Sequence, residues 1–216
     1  MVRRQPLPLP SRWLFSDERL VPGIAAIAAR MPPGSGIVLR DDRRRPAARW
    51  RLLRRLARIA RARALMLLLA DTPEQAWRWG ADGVYLRQRH AGQAARARRI
   101  GLCVAMPVHD HAEARRARRA GAAIAFISPL HPTRSHPGAA HLDRRRWLAL
   151  ARASRIGAPA PTKTRAAVAL GGMNPARARA LQRASKASGI TPGWAAIDSW
   201  MEKAARRDQK RKAVPT

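Results

Sequence analysis

Eight short apolar runs, each followed by a helical pattern, constrain this chain more than any other feature. The runs fall at 13–17, 36–40, 64–70, 83–86, 102–108, 124–128, 166–170 and 194–197. Each is about strand length, bounded by turn residues and without polar alternation, so each reads as a strand buried on both faces. The helical segments fall at 22–30, 46–63, 73–79, 88–99, 110–120, 143–154, 174–183 and 199–206. Strands buried on both faces and separated by helices form a parallel sheet. Eight such units close into a (β/α)8 TIM barrel. An open doubly wound sheet is the alternative fold. Its dinucleotide-binding version is disfavoured because no G-x-G-x-x-G follows a strand.

Local signals support the alternation. Thr72, Pro73 and Gln75 have the spacing of an N-cap, a first-turn proline and a capping-box partner. Asp110 and Glu113 repeat that spacing. Gly80-Ala81 and Gly121-Ala122 each close a helix and lead into a strand, so one αβ unit recurs. The reading is one domain over 13–206, with a loose segment at 1–12 and a disordered basic tail at 207–216.

Composition limits the function. The formal net charge is +31, from 44 Lys and Arg against 13 Asp and Glu. Such a charge invites a nucleic-acid partner. The arginines, however, coat many helices and form no single stripe. With one Tyr and two Phe, stacking aromatics are scarce. Nucleic acid is therefore disfavoured, although the helix at 46–63 packs a dense row of arginines opposite an apolar stripe. There is no apolar run of about 18 residues, hence no expected membrane helix. The N-terminus lacks an apolar core of signal-peptide type. A lone Cys103 excludes an internal disulfide and a Cys-rich zinc site. A cytoplasmic location is expected, and the oligomeric state stays open.

Barrel enzymes place their chemistry on the loops after the strands. Those positions hold Asp17 and Glu18, Arg40 and Asp41, Asp71, Gln88 and His90, His109, the loop around 131–136, Gly171-Gly172, and Asp198. The loop after the sixth strand carries three prolines, an arginine, hydroxyls and histidines, which makes it the most chemically loaded. Gly171-Gly172 after the seventh strand suits a phosphate, because backbone N–H groups at a glycine turn and a helix N-terminus attract anions. A tight βα turn explains the pair equally well. His90, His109, His131 and His136 are candidates for a metal or general-base cluster; four independent loop histidines are the simpler reading. Asp71 is a candidate for Mg2+ or a helix-start acid.

The stretches SPLHPTRSHPGA (128–139), ADTPEQAWRWGADGVYLRQ (70–88), VALGGM (168–173) and GWAAID (193–198) resemble, in order, conserved segments of the thiamine phosphate synthase/TenI family. LFSDERL and GIVLR resemble that family's first two strands, so the likeness spans about 13–200. The resemblance implies a TIM barrel that joins an aminopyrimidine diphosphate to a thiazole phosphate and releases diphosphate with Mg2+. It places Asp71 on Mg2+ and diphosphate, with Arg40 and Gln88 lining the pyrimidine and diphosphate region. It places Thr133, Ser135, Gly171, Gly172 and Ile197 around the thiazole phosphate. His136, Arg134 and His131 are the candidate catalytic groups, since His136 falls where the family carries a lysine.

This chain departs from the pattern at Ala70, His90, Pro107, His136 and Asp198. The position of the family's second metal-binding acid is His90, which puts Mg2+ in question. The first expectation is a transferase of the synthase type. The alternatives are a TenI-like thiazole tautomerase, which needs acid/base groups and no Mg2+, and a non-catalytic phosphate-binding barrel.

Overall fold

The computed structural model describes residues 8–20, 23–41, 43–132, 138, 140–155 and 166–212. The strands are β1 (Arg12–Phe15), β2 (Gly36–Leu39), β3 (Met66–Leu69), β4 (Gly83–Tyr85), β5 (Cys103–Val108), β6 (Ile124–Ile127), β7 (Ala166–Ala169) and β8 (Gly193–Ala196). They pair in parallel and in chain order, and β8 returns to β1 to close the barrel. The expected (β/α)8 TIM barrel is the fold.

Alternation along each strand divides the core in two. Trp13, Phe15, Val38, Met66, Leu68, Tyr85, Ala105, Ile124, Phe126, Val168 and Ala195 fill the barrel interior. Leu14, Ile37, Leu39, Leu67, Val84, Met106 and Ile127 face the helices. This is the consequence of a two-residue side-chain period in strands covered on both sides. The interior is unusually aromatic for so few aromatic residues. Phe126 meets Trp13 edge-on at 5.3 Å and Phe15 at 4.9 Å between centroids. Gly36 makes room for this, since a Cβ there would overlap the Trp13 ring.

The outer helices are α1 (Ile24–Ala28), α2 (Pro46–Ala62), α3 (Pro73–Trp79), α4 (Ala94–Arg99), α5 (His111–Arg119), α6 (Arg144–Arg155), α7 (Pro175–Ser185) and α8 (Asp198–Lys212). The caps expected at Thr72 and Asp110 form, and Asn174 caps α7 in the same way: each accepts a backbone N–H three residues on. In α2, Leu53, Leu56 and Ala60 are buried and the arginines between them lie outward. Trp194 stacks on Trp200 at 5.5 Å, so both are packing residues.

Three boundaries differ from the sequence reading. The helix expected over 88–99 opens as a 3-10 segment, Gln88–Gln93, and becomes α-helical only at Ala94. Gly92 weakens the α-helix there, and the Gln88 side chain ties the segment to β5. Helix α8 runs to Lys212, into the stretch expected as disordered tail; no glycine or proline interrupts it before that point. The segment 1–12, expected to be loose, is anchored at its end. Pro10 accepts from Trp13 Nε1 at 2.8 Å, and the Ser11 carbonyl accepts from Trp194 N–H at 2.8 Å. Among the described residues no helix is long and apolar enough to cross a membrane.

Candidate active site at the mouth of the barrel

The carboxyl ends of the strands surround a cavity of about 650 Å3. Its floor includes the Phe15 and Tyr85 rings, 5.7 Å apart and edge-to-face. Burial pushes the Tyr85 hydroxyl up to about 12, so it stays protonated. Its walls come from opposite sides of the barrel and differ in charge.

On the β1–β2 side, Arg40 leaves the end of β2 with its guanidinium 6.0 Å from the Phe15 ring centroid. Its backbone N–H donates to Ser16 Oγ at 2.6 Å, which joins the two loops. Asp17 accepts from Arg19 Nε at 2.7 Å and from Nη2 at 3.0 Å. This hydrogen bonding holds the Asp17 carboxyl below the usual carboxylate range despite partial burial. Arg19 also lies 3.9 Å from Asp198 at the start of α8. Asp17, Asp198 and Glu202 therefore make the β8–β1 edge of the cavity acidic, with Arg19 among them.

On the β7 side, Gly171 and Gly172 turn the chain toward α7 at φ +98° and +57°. These positive angles suit glycine and strain any other residue. Space imposes the same choice. A Cβ on Gly171 would lie 2.9 Å from both Cα and Cβ of Pro129, and one on Gly172 would lie 2.7 Å from the Pro132 carbonyl oxygen. The turn thus packs directly on the loop after β6, where Leu130 and His131 N–H donate to the Leu170 and Gly171 carbonyls. Arg177, in the first turn of α7, donates to the Gly172 carbonyl and also lines the cavity. A glycine turn, a helix N-terminus and a guanidinium converge here, and all three favour an anion.

Of the residues expected at the site, Arg40, Gly171, Gly172 and Ile197 line this cavity, as do the strand-end candidates Asp17, His109 and Asp198. Thr133, Arg134, Ser135 and His136 lie outside the described residues. His131 is not among the lining residues, although its N–H donates to the carbonyl of Gly171, which is. Desolvation, then Arg177 and His141, holds its imidazole below the ordinary pKa, so it is neutral at neutral pH. Gln88 is tied up elsewhere. Its amide donates to the Pro107 carbonyl at 2.5 Å and accepts from Arg116 at 3.0 Å. Arg177, Tyr85, Ser128 and Glu202 are lining residues that sequence reasoning missed. Arg177 was legible in principle: it follows the Asn174 cap by three residues, and first-turn side chains point back toward the helix N-terminus.

Among the described residues the histidine cluster does not assemble; His136 lies outside them. His90 accepts from Arg89 Nε at 3.0 Å, and His109 pairs with Glu113 at 2.7 Å. No group of three or more metal-ligating side chains occurs among the described residues. Asp71 does not fit Mg2+ either. Its Oδ2 accepts from Arg49 Nη1 at 2.5 Å and its Oδ1 accepts the Thr72 N–H at 2.8 Å. Both oxygens are engaged, one of them by a cation. Mg2+ needs several oxygen donors in octahedral array.

The fold and cavity define a (β/α)8 barrel at whose mouth a glycine turn, a helix N-terminus and a guanidinium meet after the seventh strand. Its family follows from comparison: the TMP-TENI model, described as thiamine monophosphate synthase, matches residues 17–192, and the chain belongs to that family. The thiamine-phosphate synthase of Chromobacterium violaceum is 33% identical over 130 residues. That match takes in 58% of this chain and 61% of the relative, so it spans about three fifths of the relative's length. Among solved structures, thiamine phosphate pyrophosphorylase from Pyrococcus furiosus superposes with TM-score 0.65 at 20% identity, covering 88% of this chain and 86% of that one. FabK from Thermotoga maritima gives TM-score 0.63 at 14% identity, over 88% and 58%. Likenesses at these identities speak for the barrel alone.

Proposed function

We propose that this barrel acts in thiamine biosynthesis and joins an aminopyrimidine diphosphate to a thiazole phosphate. In that reaction the thiazole nitrogen bonds to the exocyclic methylene carbon of the pyrimidine. The carbon–oxygen bond to diphosphate breaks, and the leaving oxygen keeps the electron pair. The observation that carries the reading is the β7 turn: Gly171, Gly172 and the Arg177 guanidinium together line one end of the cavity. That end suits the thiazole phosphate. Arg40, across the cavity, supplies positive charge toward the departing diphosphate, and Phe15 and Tyr85 provide apolar surface for the rings between them. Such a displacement relies on fixed charge and orientation more than on a protein nucleophile. His136, Arg134 and His131, with Thr133 and Ser135, remain the candidates contributed by the loop after β6.

The reading is tested by incubating the protein with both substrates and following diphosphate release and thiamine phosphate formation. Product that falls at least about tenfold on Arg177→Ala, a loss of about 1.4 kcal/mol, supports it; no product under any condition rejects it. A second reading, metal-free tautomerisation of a thiazole phosphate, is favoured by the Arg49–Asp71 pair, which occupies the carboxylate a synthase would lend to Mg2+. Isomerisation of the thiazole without diphosphate release would select it.

A further inference from the structure

Several carboxylates at or just beyond the carboxyl ends of the strands are paired with arginine. Asp17 has Arg19, Glu18 has Arg43, Asp41 has Arg44, Asp71 has Arg49, and Asp198 lies within 4 Å of Arg19. Most of these pairs are exposed and contribute little. The Arg49–Asp71 pair differs. Arg49 is only 8% exposed and comes from the first turn of α2. Its Nη1 donates to Asp71 Oδ2 at 2.5 Å and its Nη2 to the Ala70 carbonyl at 2.7 Å. The guanidinium thus caps the carboxyl end of β3 as well as its aspartate. A partly buried, doubly bonded guanidinium is not readily displaced by a divalent ion, because displacement would leave a buried charge unpaired.

We infer that Arg49 is a built-in counter-ion that neutralises Asp71, so anion binding at this mouth needs no divalent metal. Arg49 is a positioning residue here: it acts on a ligand through Asp71, whose negative charge would otherwise repel a diphosphate. Asp71 and Arg49 together present no net charge, and Arg40 supplies the attraction.

The test uses inorganic diphosphate as the probe, with binding measured calorimetrically in EDTA and in Mg2+, alongside a Mn2+ titration read by electron paramagnetic resonance. The wild type should bind diphosphate equally in both buffers and take up no Mn2+ that Asp71→Asn removes. Arg49→Met should weaken diphosphate binding by about tenfold, and Mg2+ or the added Asp71→Asn change should restore it. A merely structural arginine would not be rescued by Asp71→Asn, and that failure overturns the inference. So does a wild-type affinity that Mg2+ tightens by about tenfold or more through Asp71. If Arg49→Met does not fold, Arg49→Lys and the wild-type titrations decide. The condensation reading stands or falls separately. If diphosphate binds in neither buffer, that reading loses the site for its leaving group, while the Mn2+ titration still decides the role of Arg49.

Discussion

Replacing Gly171 by alanine tests the β7 turn most directly. The backbone there sits at φ +98°, outside the range alanine adopts without strain. Holding such a conformation costs about 1–3 kcal/mol. The new Cβ would also lie 2.9 Å from Pro129 Cα and Cβ and 3.1 Å from Leu130 N, all parts of the neighbouring loop rather than flexible chain ends. Relieving that contact costs about another 1–3 kcal/mol. The smallest sum, about 2 kcal/mol, corresponds to a fall in Tm of about 4–8 °C for a domain of this size. Gly34→Ala is the control: Gly34 has φ +71° and nothing within 4 Å of the added Cβ, so it bears the conformational cost without the collision. Thermal melts of both variants and calorimetric titration with inorganic phosphate separate the contributions. Gly171→Ala should lose both stability and about tenfold in phosphate affinity, a change of about 1.4 kcal/mol, whereas Gly34→Ala should keep its affinity. A Gly171→Ala protein that melts with the Gly34→Ala control and binds phosphate like the wild type would refute the turn as an anion site.

Cys103 should resist alkylation by iodoacetamide at pH 8 in the native protein and react after denaturation, because burial pushes its thiol up to about 12. Trp200→Phe should cost about 0.5–1.5 kcal/mol in urea unfolding, since it removes the bond from Trp200 Nε1 to the Trp13 carbonyl at 2.9 Å. His131, with its pKa held below the ordinary 6.5, takes up its proton more readily in the unfolded chain. Stability should therefore be fully present above pH 6.5 and fall as the pH drops toward the native pKa. A pH series of unfolding midpoints should show this slope in the wild type and a shallower one in His131→Gln.

The barrel was readable from residues because its cause is local. Stretches such as MLLL in β3 and IAFI in β6 are too apolar to have a wet face, and helices with caps at Thr72, Asp110 and Asn174 separate them. Eight repeats of that unit leave little choice but closure. The glycine turn at the cavity was readable for a related reason: Gly171 and Gly172 follow an apolar run and precede a capped helix. Partnership was not readable. Asp71 and Gln88 stand where the family resemblance calls for metal and substrate ligands, yet Asp71 meets Arg49 across 22 positions and Gln88 meets Pro107 and Arg116 across 19 and 28. With 44 basic residues along the chain, sequence spacing does not single out which arginine reaches which carboxylate. Closure of the barrel makes that selection. It brings the first turn of α2 against the end of β3, and the first turn of α7 against the glycine turn, so that Arg49 neutralises an acid while Arg177 remains facing the cavity. The sequence alone determined the fold and the place of the site, because both follow from local patterns. Its charge was decided by tertiary contacts, because charge depends on which side chains meet.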